Sequence, residues 1–506
     1  MPDSENNYNP LNDTKLLDDI NNAFIKKFKT DKFHYIYDVN TNEIVKVDKV
    51  IWNLFPDEIS GKKDLSTLIQ KWGSEAIERA LLEIREQKQK DNLFSTNFPT
   101  VCMTLTQEEL EKHIKHKNEQ TLLNVTEECN FRCKYCIFSG IYKNVRTHSK
   151  KFMSWEIAKT AMNTFIKNSS EVKDPTFSFY GGEPLLAMDL IIKCVEYLEN
   201  RNKPRFTVST NGSLLNEENI KYLISKKFTI YISLDGPREI HDSYRVYSSG
   251  KGSWDDIIRN IDLIKKIDIE YYKEKVAFNC TMAPPYNINK CIMFFINEFP
   301  GFHVSLTLVD YENTEYFEKN FTYKELYEEL YNQMDILYKE YINLYIHEDN
   351  YSSFSRLVSN LYDSFPADCH KRNKKILSNV ILAQGQCFMG ARKLFCDTDG
   401  NYYPCERVNG YYNIGSVFSG VDYDKIYKYM NKFNTLQTDK CNKCPYIRFC
   451  KKCIREIYGN EKFNKKHYYS ICANKKININ EKFIQYMSMM EKNPKSMDKV
   501  ASIVFK

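Results

Sequence analysis

The 506-residue chain predicts an α/β fold: a parallel sheet built from βα units, preceded by a small strand-and-helix module and followed by a cysteine-rich segment. Three observations predict it. Between 121 and 310 short apolar runs alternate with stretches of helical periodicity, the signature of βα units. Upstream, two strand-like runs flank a turn and lead into two amphipathic helices. Downstream, cysteines crowd into 387–472. A chain this long also exceeds what a single core of up to about 300 residues serves, so several domains are expected.

In chain order, residues 1–24 are mostly polar and are expected to form a flexible leader. Phe33–Val39 and Ile44–Val47 are strand-like around Asn40-Thr-Asn-Glu43, a hairpin signal. Helices are predicted over 64–72 and 74–89, the second with Ala76, Ile77, Ala80, Leu81 and Ile84 at helical spacing. Together these define a module at 25–105. The parallel-sheet domain, 106–310, has predicted strands at 121–125, 176–180, 205–209, 229–234, 276–282 and 303–309. Predicted helices lie between them at 154–168, 187–200, 216–227, 254–267 and 288–299. No sequence repeat marks these units. Residues 311–386 read as a bridge, helical over 323–346. The cysteine-rich domain spans 387–476, and 477–506 closes with a helix at about 478–492.

Composition narrows the function classes. A net charge of +6 from 72 basic and 66 acidic residues is mild. The cluster Lys112-His-Ile-Lys-His-Lys117 reads as a solvated face, so no nucleic acid is expected as partner. No apolar run is long enough to span a bilayer, and the start Met-Pro-Asp-Ser is unlike a secretory signal, so no membrane is expected and the cytoplasm is. Sixteen cysteines are many for that compartment, where disulfides do not persist; metal ligation is the default reading of clustered ones. Eleven fall in 129–136 and 387–472. Cys102, Cys194, Cys280, Cys291 and Cys369 are scattered and read as buried apolar thiols.

The first cluster lies in Asn124-Val-Thr-Glu-Glu-Cys-Asn-Phe-Arg-Cys-Lys-Tyr-Cys136. Three thiolates can hold three irons of a cubane 4Fe–4S cluster and leave the fourth open to a small molecule. The spacing Cys129-x3-Cys133-x2-Cys136, with Tyr135 before the last cysteine, resembles the radical S-adenosylmethionine (SAM) superfamily. The resemblance implies a partial (β/α)6 barrel and an enzyme that forms a 5′-deoxyadenosyl radical. Tyr180-Gly-Gly-Glu-Pro184 resembles the family's SAM-binding turn: Gly181 and Gly182 would admit the cofactor and Glu183 would accept from its ammonium. Thr210 and Asn211 match a ribose-contacting turn. Ser233 and Arg245 stand where the family binds the ribose or carboxylate of SAM, a role suited to a guanidinium; for both, a turn and a surface ion pair is the competing reading.

Cys387-x12-Gly400-x4-Cys405, then Cys441-x2-Cys444-x5-Cys450-x2-Cys453 and Cys472, resemble the SPASM extension of peptide-modifying members of this superfamily. The resemblance implies two auxiliary 4Fe–4S clusters, three in all: one on Cys441, Cys444, Cys450 and Cys472, the other on Cys387, Cys405 and Cys453. Only Lys451 and Lys452 separate Cys450 from Cys453, where the family has three residues, so either Cys453 or Cys396 could complete the nearer cluster. With three thiolates alone, an open iron there would bind a substrate cysteine. The paired CxxC motifs are also compatible with zinc. Glu406 stands where sulfatase-maturating relatives place a basic Asp, although an exposed carboxylate is the plainer reading.

The 25–105 module resembles the winged-helix recognition element that grips precursor-peptide leaders by strand addition. The whole implies a maturase forming thioether cross-links in a cysteine-containing peptide, served by a flavodoxin- or ferredoxin-type electron donor. The competing readings are a formylglycine-generating sulfatase maturase, a carbon–carbon cross-linking or epimerising enzyme, a tRNA-modifying enzyme, and a non-catalytic iron–sulfur or zinc scaffold.

Overall fold

A computed structural model describes residues 8–495 except 144, 202, 312–313, 348–356, 359–367, 384, 386, 409 and 458–464. The outermost parts of the expected leader (1–7) and closing segment (496–506), and stretches of the expected bridge, therefore lie outside the described residues.

The amino-terminal module is an antiparallel meander of β1 (Ile25–Lys29), β2 (His34–Asp38) and β3 (Glu43–Val47), followed by helices at Lys49–Leu54, Leu65–Trp72 and Ser74–Asp91. Side chains of β2 alternate between two cores, as a strand's period of two requires. Ile36 faces the helices with Ile51, Leu54, Ile77 and Leu81. Tyr35 and Tyr37 face the rest of the chain. There Phe28 and Tyr37 meet Phe483 of the last helix at ring separations of 5.5 and 4.9 Å. Burying each such ring contributes about 2–3 kcal/mol, so the module is seated on the body rather than tethered to it.

The flexible leader requires correction. Thr14–Asn22 is a helix whose first turn is capped by the Asp13 carboxylate accepting from Leu16 N at 2.9 Å. Leu16 and Ile20, one turn apart, are buried in the module's core. The polar composition concealed this pair, and β1 also went unpredicted.

Among the described residues the central sheet has eight strands. Six of them, β5 (Gln120–Thr126), β6 (Thr176–Gly181), β7 (Arg205–Thr210), β8 (Thr229–Ser233), β9 (Val276–Met282) and β10 (His303–Leu308), are parallel and lie side by side in sequence order. Helices at Trp155–Asn168, Met188–Glu199, Glu217–Ser225, Trp254–Ile267 and Ile288–Glu298 connect them. The expected six βα units are present within a residue or two of the predicted bounds. β4 (Thr100–Val101) and β11 (Val380–Ile381) form a separate parallel pair. β12 (Lys393–Cys396) adds in parallel to β5, and β13 (Tyr402–Tyr403) adds antiparallel to β12.

The closing helix is Lys465–Lys492, longer than the 478–492 expected, so Cys472 sits on a helix and not in a preceding loop. Cys194, Cys280, Cys291 and Cys369 are buried and Cys102 half-buried. Among the described residues no helix is long and apolar enough to cross a membrane.

Candidate functional site

A cavity of about 880 Å³ opens at the carboxyl ends of the parallel strands, where barrel-type active sites are built. The cysteine loop leaves β5 and crosses this mouth. Its path depends on glycine: Gly182 N donates to Thr126 O and Glu183 N to Glu128 O, each at 2.8 Å. A Cβ at Gly182 would stand 2.2 Å from Glu128 O, and one at Gly181 2.5 Å from Thr126 O. No side chain fits there.

Cys129, Cys133 and Cys136 all line the cavity. Backbone amides of Phe131 and Phe138 each donate to a cysteine sulfur, Cys129 and Cys136 respectively, at 3.4 Å. Burial pushes the thiols of Cys129 and Cys133 up to about 12 and raises that of Cys136. Such thiols ionise when a metal replaces the proton. Among the described residues no three His, Cys, Asp or Glu converge on a single ion; these three thiols border a space. With one cavity face free of thiols and lined by strand-end polar groups, the donor set fits a cluster with a vacant iron and a small polar ligand beside it.

Gly181, Gly182, Thr210, Asn211, Ser233 and Arg245 line the same cavity, as does Tyr135. Glu183 does not. Its fully buried carboxylate accepts from Leu185 N at 3.1 Å and from Thr210 Oγ1 and Asn211 N at 2.7 Å each. It fixes the β6 and β7 turns from behind the cavity wall. Burial raises its carboxyl to about 7 despite those three donors. Asn211 Nδ2 in turn donates to Asn130 Oδ1 at 2.8 Å, tying β7 to the cysteine loop.

Arg245 is buried rather than at the surface and pairs with Asp235 at 2.8 Å. Burial is the largest single influence and opposes its charge, but Asp235, Tyr135 and Cys133 together hold the guanidinium well above its ordinary value. Asp235 also accepts from Tyr135 Oη and from Thr281 N, the latter at 2.9 Å. One carboxylate thus anchors the aromatic of the cysteine motif, the cavity arginine and β9. Sequence reasoning missed it, although it stands two residues beyond Ser233.

Arg146 was missed too. It lines the cavity, stacked 4.1 Å from the ring of Phe138 and 4.5 Å from that of Phe395. Its Nη2 is buried and has no hydrogen-bond partner among the described residues, and burial lowers its pKa. Glu406 reaches the cavity with its carboxylate 3.2 Å from Lys393 Nζ, and it is largely enclosed, not exposed.

The second cysteine segment forms two groups. Cys441, Cys444, Cys450 and Cys472 line one small cavity walled by Ala383, Ile447 and Ile479. Burial raises the Cys450 thiol to about 11 and raises that of Cys444. Cys387, Cys405 and Cys453 form the other group: burial raises the thiols of Cys387 and Cys405, and Cys453 raises both further. Cys396 is fully buried in β12, with its thiol toward Asp397 O. Four thiols around one cavity are a donor set that suits an iron–sulfur cluster.

Residues 123–294 match the radical SAM superfamily. A cysteine-type anaerobic sulfatase-maturating enzyme of Clostridium novyi (strain NT) is 26% identical over 343 residues, 65% of this chain and 86% of its own. The radical SAM cyclopropyl synthase TigE of Paramaledivibacter caminithermalis is 22% identical over 67% of this chain and 69% of its own. The solved structure of native anSMEcpe with bound AdoMet superposes with a TM-score of 0.53 at 21% identity, over 76% of this chain and 100% of that one; this likeness bears on the fold. Residues 123–294, with the three-cysteine loop over the strand ends, are thus a radical SAM domain.

Proposed function

We propose that the protein modifies a cysteine-containing precursor peptide, closing thioether links between a cysteine sulfur and a carbon. The observation that carries this reading is the amino-terminal sheet. Its outer strand β3 pairs only with β2 among the described residues, which leaves an edge for an added peptide strand. The sheet is packed on the same body that holds the cavity, so a bound leader would present its core segment at a fixed distance from it.

When bound, the clusters and SAM supply a carbon radical able to remove a hydrogen atom from an unactivated carbon. The chain's own residues do the rest. Gly181, Gly182, Thr210, Asn211, Ser233 and Arg245 bind and orient SAM against the Cys129–Cys136 loop. Aromatic side chains of Phe131, Tyr135, Phe138 and Tyr142 border the cavity and keep bulk water from the reacting carbon. Arg146, which lines the cavity, donates from its guanidinium to a substrate carbonyl or carboxylate oxygen. Glu406 takes the proton from the substrate thiol onto a carboxylate oxygen, while Lys393 holds that carboxylate in place. Three protein-derived iron–sulfur clusters, a flavodoxin- or ferredoxin-type donor and a cytoplasmic setting complete the reading.

Each link removes two hydrogens, one as an atom and the other as a proton taken by Glu406; a bound oxidised cluster would supply the acceptor for the remaining electron. Mass spectrometry of a candidate cysteine-rich peptide after reaction tests this. A loss of two hydrogens per link, dependent on SAM and abolished by Cys133→Ala, supports it.

The second reading, formylglycine generation on a sulfatase cysteine, is favoured by alignment over 86% of the Clostridium novyi enzyme's length. Conversion of a cysteine peptide to an aldehyde, undiminished when the amino-terminal module is removed from the peptide's path by a leaderless substrate, would favour it over thioether closure.

A further inference from the structure

The two lysines of Cys450-Lys-Lys-Cys453 part company. Lys451 is at the surface, paired with Asp368. Lys452 is 2% exposed and lines the four-thiol cavity. Its Nζ lies 3.0 Å from Cys472 Sγ and 3.2 Å from Tyr468 Oη. Tyr468 Oη is in turn 3.6 Å from Cys441 Sγ. No carboxylate among the described residues pairs with Lys452.

The backbone holds it there. A Cβ at Gly385 would stand 2.1 Å from Lys452 N, so the segment leading to Cys387 is pressed against the short Cys450–Cys453 spacer. The ammonium is placed by the fold, not by a flexible surface stem. A buried lysine without a carboxylate is costly, and among the described residues the four thiols, once ionised on a cluster, are the anions positioned to compensate it.

A four-thiolate cubane carries net negative charge in both redox states and one charge more when reduced. A fixed cation hydrogen-bonded to a ligand sulfur favours the more negative state, and low water access strengthens the effect. Resting on the reading of these thiols as an iron–sulfur centre, we propose that Lys452 sets the reduction potential of the Cys441/Cys444/Cys450/Cys472 centre, raising it so that this centre takes up an electron readily.

The test compares full-length, anaerobically reconstituted wild type with Lys452→Met and Lys452→Arg by iron content and by redox titration followed by electron paramagnetic resonance. The signal of this centre is the one lost in Cys450→Ser. Lys452→Met is expected to retain its iron and to show a reduced-to-oxidised ratio about tenfold lower at fixed potential, a shift of about 59 mV to more negative values for one electron. Lys452→Arg, with its charge kept, is expected to recover most of that shift. Full iron with an unmoved midpoint in Lys452→Met overturns the proposal, as does loss of iron in both variants, which would make the role structural. Wild type with no iron at these four thiols overturns the proposal together with the iron–sulfur reading it rests on; iron content separates that outcome from an unmoved midpoint.

Discussion

Asp235→Asn keeps the shape of the side chain and removes its charge. Asp235 is 2% exposed and accepts from Tyr135 Oη, Arg245 Nε and Thr281 N. The Arg245 side chain is 10% exposed, so the substitution strands a buried guanidinium. Breaking such a pair from one side costs about 3–5 kcal/mol, a large part of a typical stability of about 5–15 kcal/mol. Most of that cost is the uncompensated charge, so Asp235→Asn/Arg245→Met should regain about half of it. Because Tyr135 sits between two cluster cysteines, the single variant should also hold less iron per chain. Anaerobic denaturant titration with iron analysis measures both. A single variant within about 1 kcal/mol of wild type, or a double variant no more stable than the single, would refute the assignment of Asp235 as anchor of this network.

Other consequences follow from the same geometry. Gly182→Ala places a methyl 2.2 Å from Glu128 O and should strip iron from the Cys129/Cys133/Cys136 site while the four-thiol signal persists; equal loss at both would point to global unfolding instead. Arg146→Met should leave 5′-deoxyadenosine formation without peptide unchanged and raise the KM for peptide about tenfold, the worth of one charge-assisted hydrogen bond; an unchanged KM would remove Arg146 from substrate binding. His241 is buried and neutral, its Nδ1 accepting from Asp235 N at 3.2 Å and its Nε2 facing Ser253 Oγ at 3.0 Å. Burial lowers its pKa from 6.5 to about 4. The unfolded chain therefore binds a proton that the folded one refuses between those values. Its contribution is present above about pH 6.5 and declines as pH falls toward 4, by about 1.4 kcal/mol at pH 5.5. Denaturant titrations of wild type and His241→Asn at pH 7.5 and 5.5 check this; equal pH slopes would contradict it.

The six βα units were legible because each strand and helix is local and of ordinary length, and the three-cysteine motif because its ligands lie within eight positions. What escaped was long-range. The bond from Tyr135 to Asp235 joins positions 100 apart, and nothing local marks Asp235 as more than a turn residue. β12 is four residues long and finds its partner β5 across some 270 positions. Glu183 was legible as a motif member, but its direction depends on whether β7 offers donors behind it, and Thr210 and Asn211 do. The helix at Thr14–Asn22 was lost because two apolar residues in a polar stretch suffice once a core waits for them.

If Cys129, Cys133 and Cys136 hold a cubane, its remaining iron is free to bind SAM. Electron paramagnetic resonance of the dithionite-reduced, fully loaded protein, recorded before and after SAM is added, reads that binding. A SAM-dependent change in the spectrum should persist in Cys450→Ser and vanish in Cys133→Ala. A spectrum indifferent to SAM at full iron content would contradict it.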